Sequence, residues 1–495
     1  MRLNAFFRGA VSLLVVALIS VGILVGTVGN LSHKSYLAAF TAAMAAAAVL
    51  SMAKRYKSKF FCCFEQYSSL VVCVVLGLLC LMVNGTWIIV FHPVQAPDYK
   101  TFFQAAKDLA SGAQLSSRDY LALFPHILGY ASFLSIFLRV FSQSMQTAAV
   151  VNLFLTTGIG IVLYSLSLKW TGRRTAAAFV FLLWIFCPSK LLYNTMALSE
   201  PYYTFLLLLF LLMASVVLDR EHLREKKQDA IEKDGQERCS FYAPIYGALC
   251  GITLTLINSA RPIGVIPIIA VIIWFIFLTE RGIQKNRRRE RGAFLLLLIF
   301  SYLASGRIWI SYAAEQLGQD PPSIPGYSIY VGFNLETQGS YADEDMELLQ
   351  NRYFGEYDRN AVITQNSMFE SAKERIRTAK NNIPGLMIHK LGTLLGHDEG
   401  GAFYSKESFS HKEYALWCIL SNCWYYSVCV LSILGSFMFW KQNRSDSFWL
   451  VPLCLIGVVL AQLLVEVAAR YHYCLIPLLL LQSAFSLIVE ETDMI

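Results

Sequence analysis

The chain of 495 residues is 56% hydrophobic and only 15% charged, with a mean hydropathy of +0.50 and a formal net charge of +7. A soluble protein of this length divides into several domains and carries a larger charged fraction, so the composition excludes that class and points to an all-α, polytopic membrane protein. In such a chain basic residues first report topology, so the positive balance is no argument for nucleic acid.

Twelve spans are expected in chain order, at 10–28, 36–52, 68–91, 147–168, 176–193, 201–218, 241–259, 262–279, 292–312, 415–440, 447–465 and 471–489. The first follows Arg2 and Arg8, is longer than a signal-peptide core and has no clear small-residue cleavage site, so it reads as a retained span with its N-terminus inside. The third, with the residue before it, is the uncharged run "YSSLVVCVVLGLLCLMVNGTWIIVF". It leads directly into "FHPVQAPDYKTFFQAAKDLASG", which places Asp98 one proline-bracketed loop beyond a membrane exit. Phe102, Phe103, Ala106 and Leu109 then recur near helical spacing, with Lys107 and Asp108 interleaved. This predicts an amphipathic helix with Asp108 on its polar face.

The next apolar run, "LALFPHILGYASFLSIFLRVF" at 121–141, is long enough to cross, and charge decides against it. If it does not cross, the basic loops "KRYKSK", "KWTGRR", "DREHLREKK", "ERGIQKNRRRERG" and "KQNR" all lie inside. The run is therefore expected to lie in, or dip into, the outer leaflet. Residues 92–146 then form one extracytoplasmic loop with two membrane-hugging helices, and 313–414 form a second outside region. The expected organisation is an N-terminal transmembrane module, 1–312, that includes the 92–146 loop, then the 313–414 loop region, then C-terminal transmembrane helices in 415–495. The basic runs at 219–240 and 281–291 read as solvated anchors against anionic lipid. The twelve cysteines fall mostly inside apolar runs (Cys73, Cys80, Cys187, Cys250, Cys429, Cys454) and read as small apolar residues; Cys62 and Cys63 lack partners for a zinc site.

Charges at the ends of spans are costly and mark functional candidates. Under this topology Glu200 in "NTMALSEPYY", Arg261 in "NSARPIG", Arg307, and Glu466 and Arg470 in "EVAARYHY" share one side. Each also has a structural reading. Glu200 can start a helix, Arg261 can snorkel to headgroups, and Glu466 and Arg470, four apart, can pair on one helical turn. Asp98, His126, Glu200, Arg261 and Arg470 nevertheless reach the same surface from five separate places. Two arginines there suit a phosphate, and a carboxylate beside them suits proton abstraction from a hydroxyl.

In that order "PDYKTFFQAAKDLASG", "LFPHILGY", "SEPYYTFLLLL", "ARPIG", "GFNLETQGSYADED" and "EVAARYHYCLIPLLLL" resemble bacterial membrane glycosyltransferases of the GT-C type, a group similar to the dolichyl-phosphate-mannose protein mannosyltransferases. The resemblance covers roughly residues 68–490. It implies about twelve transmembrane helices in a GT-C type architecture in the cell membrane. It also implies a polyprenyl-phosphate-linked sugar as donor and an extracytoplasmic glycan, lipid or protein as acceptor. The base is implied to be an acid in the first outside loop, here Asp98. Arg261 and Arg470 are then expected to hold the lipid phosphate, with His126, Glu200 and Tyr471 completing the substrate-binding set. Many such enzymes carry two acids close together in that loop. Here Tyr99 follows Asp98 and the next acid is Asp108, so neither a cofactor nor a divalent metal is expected. The alternatives are a lipid-linked-sugar flippase or transporter, which would show an internal repeat and polar residues through the midplane, and a polymerase or ligase using a diphosphate-linked glycan.

Overall fold

The computed structural model describes residues 2–28, 34–55, 63–219, 234–278, 285–441 and 447–487; most of the basic run at 219–240 and the first residues of the run at 281–291 lie outside them. Among the described residues the regular elements are helical. The first nine are α1 (Arg2–Val28), α2 (Lys34–Arg55), α3 (Ser69–Val90), α4 (Pro97–Ser111), α5 (Arg118–Leu123), α6 (His126–Val140), α7 (Met145–Thr171), α8 (Arg174–Ile185) and α9 (Pro188–Tyr193). There follow α10 (Glu200–Leu218), α11 (Asp234–Ala260), α12 (Val265–Ile273), α13 (Lys285–Leu317), α14 (Gly326–Gly332), α15 (Asp343–Asn351) and α16 (Ala361–Thr378). The last five are α17 (Ile383–Leu395), α18 (Gly400–Tyr404), α19 (His411–Lys441), α20 (Leu450–Leu463) and α21 (Leu475–Ser483).

Eight of these helices are long and apolar enough to cross a membrane, and they coincide with eight of the expected spans. The protein is an all-α polytopic membrane protein. The other four expected spans are shorter or broken for local reasons. Pro188 cannot continue α8 and starts α9 instead. α12 ends in a widened π turn, Trp274–Leu278, and the last two spans are flanked by 3₁₀ turns. α7 and α10 lie at the centre, each with 72% of its apolar window buried, whereas α13 is peripheral with 11%.

The segment between α3 and α7 leaves and returns to the same end of the bundle, because Gln146 at the start of α7 donates to the carbonyl of Ile88 at the end of α3 (3.4 Å). The run at 121–141 therefore does not cross. It divides between α5 and α6, and α6, at 15 residues, is about 22 Å long against a hydrocarbon core of about 30 Å. Arg139 in its last turn donates to the carbonyl of Leu109, closing α6 onto the end of α4 (3.0 Å). At the opposite end of the bundle Asp219 accepts from the Ser447 N–H and hydroxyl and from Trp170 Nε1, tying the ends of α7 and α10 to the start of α20.

Much of the 313–414 region is a small helical layer with its own core of Tyr327, Val331, Leu349, Tyr353, Ala361 and Met368, shared with Ala122 and Leu123 of α5. One part of it was not foreseen. α17 is an apolar helix that packs beside α1, and its Lys390, fully buried, donates to the carbonyls of Gly332, Leu463 and Val465 (2.8, 2.8 and 2.6 Å). Those three acceptors match the three N–H bonds of an ammonium and fasten the layer to the end of α20.

Candidate active site

Junctions between helices converge at one end of the bundle. Asp98 follows Pro97 at the start of α4, where a proline suits the first helical position and the N-terminal dipole favours a carboxylate. Glu200 occupies the first turn of α10 in the same way, followed by Pro201. The residues before it, 194–199, are irregular and buried, so their polar groups need partners. Asn152 donates to the Met196 carbonyl (2.7 Å) and Gln95 to the Thr195 carbonyl (2.9 Å); Asn194 accepts from the Thr156 hydroxyl (2.7 Å) and donates to Asn84 (2.8 Å). This buried amide network fixes the approach to Glu200.

Arg261 sits in the turn between α11 and α12, and Arg470 and Tyr471 in the 3₁₀ turn Ala469–His472 between α20 and α21. His126 begins α6. Three residues on, a Cβ at Gly129 would stand 2.2 Å from the Ser259 carbonyl oxygen, so only glycine lets α6 close on the end of α11 beside Arg261. At Gly400 a Cβ would stand 2.2 Å from the Tyr193 hydroxyl and 3.4 Å from the Arg470 nitrogen; this close packing brings Tyr404 to the site.

The centre is an arginine among acids and tyrosines. Arg470 Nη2 lies 2.8 Å from Asp98 Oδ2, and Nε lies 4.0 Å from Glu200 Oε1. The Arg470 side chain is 12% exposed and that of Asp98 47%. Arg470 Nε and Nη1 are buried without a well-aligned hydrogen-bond partner, the Tyr99 and Tyr471 hydroxyls lie within polar reach of the guanidinium, and the rings of Tyr99, Tyr404 and Tyr471 flank it at 5.7, 5.4 and 5.5 Å. Arg261 also packs on Tyr471, 3.9 Å above the ring. Burial, reinforced by the charges of Arg261 and Arg470, pushes the His126 imidazole down to about 3, so it is neutral at physiological pH. Burial raises the Glu466 carboxyl, while the two arginines oppose the shift. A buried guanidinium with unmet donors has the chemistry to hold an anion, and a half-open carboxylate beside it has the chemistry to take a proton. Among the described residues no group of three or more His, Cys, Asp or Glu is spaced to hold a metal ion. A cavity of about 540 Å³ lies alongside α4, lined by Gln95, Lys100, Thr101, Phe103, Gln104, Ser117 and Met145.

No family model and no curated protein matches the sequence. Among solved structures the chain is similar to the oligosaccharyltransferase of Archaeoglobus fulgidus, crystallised with a tethered acceptor peptide containing the NVT sequon. The two are 12% identical, with a TM-score of 0.44 over 86% of this chain. The chain spans about half the length of that structure, 49%.

Of the residues singled out from sequence, the structure brings Asp98, Glu200 and Arg470 together directly. Tyr471 links Arg261 to them, and His126 lies within electrostatic reach of both arginines. Three expectations need correction. Glu466 and Arg470 do not share a helical turn: 466–468 is irregular, and the Glu466 N–H is taken by the Ser328 carbonyl (2.7 Å). Arg307 is exposed along α13 and stays outside the cluster. Asp108 is not on a polar face. It is buried and accepts from Gln104 Nε2 and from the Ser116 N–H and hydroxyl, each at 2.7 Å, because the chain folds back at Gly112 and covers it.

Sequence reading missed Tyr99, Tyr404 and a buried pair, His472 and Asp398. Leu394 offers only a carbonyl to His472 Nδ1 (2.9 Å), so Nδ1 donates there, and a second proton joins Nε2 to Asp398 Oδ1 (2.9 Å). The pair anchors the turn that carries Arg470. Its sequence signal was the acid-glycine run "GHDEGG", which reads as a loop until its partner is known.

Proposed function

We propose that the chain is an integral-membrane glycosyltransferase of GT-C type architecture. It transfers a sugar from a polyprenyl-phosphate-linked donor to a hydroxyl of an extracytoplasmic glycan, lipid or protein. The reading is supported above all by one observation: the buried Arg470 guanidinium has two nitrogens without a well-aligned hydrogen-bond partner and stands directly beside the half-open Asp98 carboxylate.

In the proposed step Asp98 accepts the acceptor's hydroxyl proton while that oxygen attacks the anomeric carbon. The bond from that carbon to the phosphate oxygen breaks with its electron pair, and polyprenyl phosphate leaves on the opposite face, so the configuration inverts. Arg470 and Arg261 hold the phosphate and offset the charge that develops on it. Tyr471 orients Arg261 by stacking, and neutral His126 and Glu200 orient sugar hydroxyls. The step balances with protein groups alone and calls for no cofactor.

The test is incubation of the purified, membrane-reconstituted protein with a panel of radiolabelled polyprenyl-phosphate sugars, with and without native membranes as the acceptor source. Wild type is expected to transfer label from one of them, and Asp98→Asn to lose about 10²- to 10⁴-fold in turnover. Full activity in Asp98→Asn, or no transfer from any such donor, overturns the reading.

A further inference from the structure

The contact that marks the site also blocks it. Asp98 Oδ2 lies 2.8 Å from Arg470 Nη2, so the base is paired with the cation that the phosphate needs. A carboxylate oxygen engaged by a guanidinium at that distance is not free to accept a proton from a hydroxyl. The nitrogens left without a well-aligned partner are Nε and Nη1. These two do not share an edge of the guanidinium plane; each of its two forked edges includes Nη2. A phosphate that binds Arg470 through two oxygens must therefore use the nitrogen that Asp98 occupies, or crowd a second anion against it. The Nε side already faces Glu200 Oε1 at 4.0 Å, so a third anion there meets like charge on two sides. Asp98 can yield at low cost: its side chain is 47% exposed at the start of α4, whereas Arg470, 12% exposed and flanked by three rings, is fixed.

Resting on that functional reading, we propose that Asp98 and the donor's phosphate are alternative ligands of Arg470, so that donor binding displaces the carboxylate and releases the base for the acceptor. The ion pair is a latch that keeps the base idle until a donor is in place. Binding is then ordered, donor before productive acceptor, and an acceptor alone meets a neutralised base.

The consequence is the reverse of an ordinary binding-site substitution. Removing the charge at Asp98 takes away the competitor, so Asp98→Asn is expected to bind a donor analogue more tightly than wild type, on the order of tenfold, while turnover is lost. The probe is a short-chain polyprenyl methyl phosphate, a diester that carries one negative charge and no sugar to transfer. Its binding is measured calorimetrically on the reconstituted full chain. Glu370→Gln, an exposed acid paired with Lys373 on α16, controls for overall charge and is expected to leave affinity unchanged. Because Asp98→Asn removes a partner of a buried arginine and can weaken folding, a second measurement uses wild type alone. The cryo-EM structure with the same diester is expected to show phosphate oxygens on Arg470 Nη2 and the Asp98 carboxylate beyond hydrogen-bond distance. Equal or weaker binding by Asp98→Asn overturns the latch and leaves the proposed function standing. So does equal tightening in Glu370→Gln, or a wild-type complex that keeps Asp98 on Nη2 beside the phosphate. If neither protein binds the diester, the latch and the lipid-phosphate donor both fall.

Discussion

Burial decides which acids stay available for chemistry. Asp98 and Asp108 lie ten positions apart on α4 and differ in what surrounds them. Asp98 meets one arginine and open space, whereas Asp108 is enclosed and takes three hydrogen bonds. Burial by itself raises the Asp108 carboxyl, but the Ser116 N–H and hydroxyl and the Gln104 amide outweigh it and hold the group below the usual carboxylate range. A carboxyl depressed in the folded state adds stability that is fully present above its unfolded value, about 4, and disappears as the pH falls through the folded value. Asp108→Asn is therefore expected to cost about 1–3 kcal/mol at neutral pH. Thermal unfolding curves of variant and wild type should converge as the pH is lowered below about 4. A constant gap across that range would show that the charge of Asp108 contributes nothing.

Among the elements, α6 shows how one small residue sets a site. Its start carries His126, and Gly129 on the next turn lies against the end of α11. A methyl group at Gly129 has nowhere to go: its nearest neighbours are the Ser259 carbonyl oxygen at 2.2 Å and the Ser259 carbonyl carbon at 2.3 Å, both backbone. Gly129→Ala must push α6 away from α11, and overpacking of this kind costs about 1–3 kcal/mol. Because Arg261 follows directly after α11, donor transfer is expected to fall more than stability does. Parallel measurements of melting temperature and transfer rate decide this. Wild-type activity in a stable Gly129→Ala variant would separate His126 and its helix from the site.

For the whole molecule, the cluster is assembled from positions between 97 and 472, so its existence depends on all the connecting segments returning to one end. Gln146 against Ile88 secures this for the first of them. We propose that this end faces the extracytoplasmic side. Single cysteines are expected to report it. Glu344→Cys, exposed on α15, should react with a membrane-impermeant maleimide added outside intact cells, and Arg288→Cys, exposed near the start of α13, should not react until the membrane is broken. Labelling of position 288 from outside reverses the orientation and places the acceptor in the cytoplasm.

Hydrophobicity and charge are properties of local sequence, and their consequences were legible from the chain alone. The eight long spans come from runs that must avoid water, and the non-crossing run at 121–141 comes from the distribution of basic loops. Asp98, Glu200, Arg261 and Arg470 were recognisable because charge at a span end is costly wherever the chain goes next. Pairings across hundreds of residues were not legible, because no local signal encodes them. Nothing near Asp98 states that Arg470 will lie 2.8 Å away, and nothing near His472 names Asp398. Asp108 has the spacing of a solvated face and becomes buried only because Gly112 turns the chain back over it. Local sequence determined which segments leave water and which charges resist leaving it. Tertiary packing decided which of those charges meet, because that depends on how closely helices such as α6 and α11 can approach.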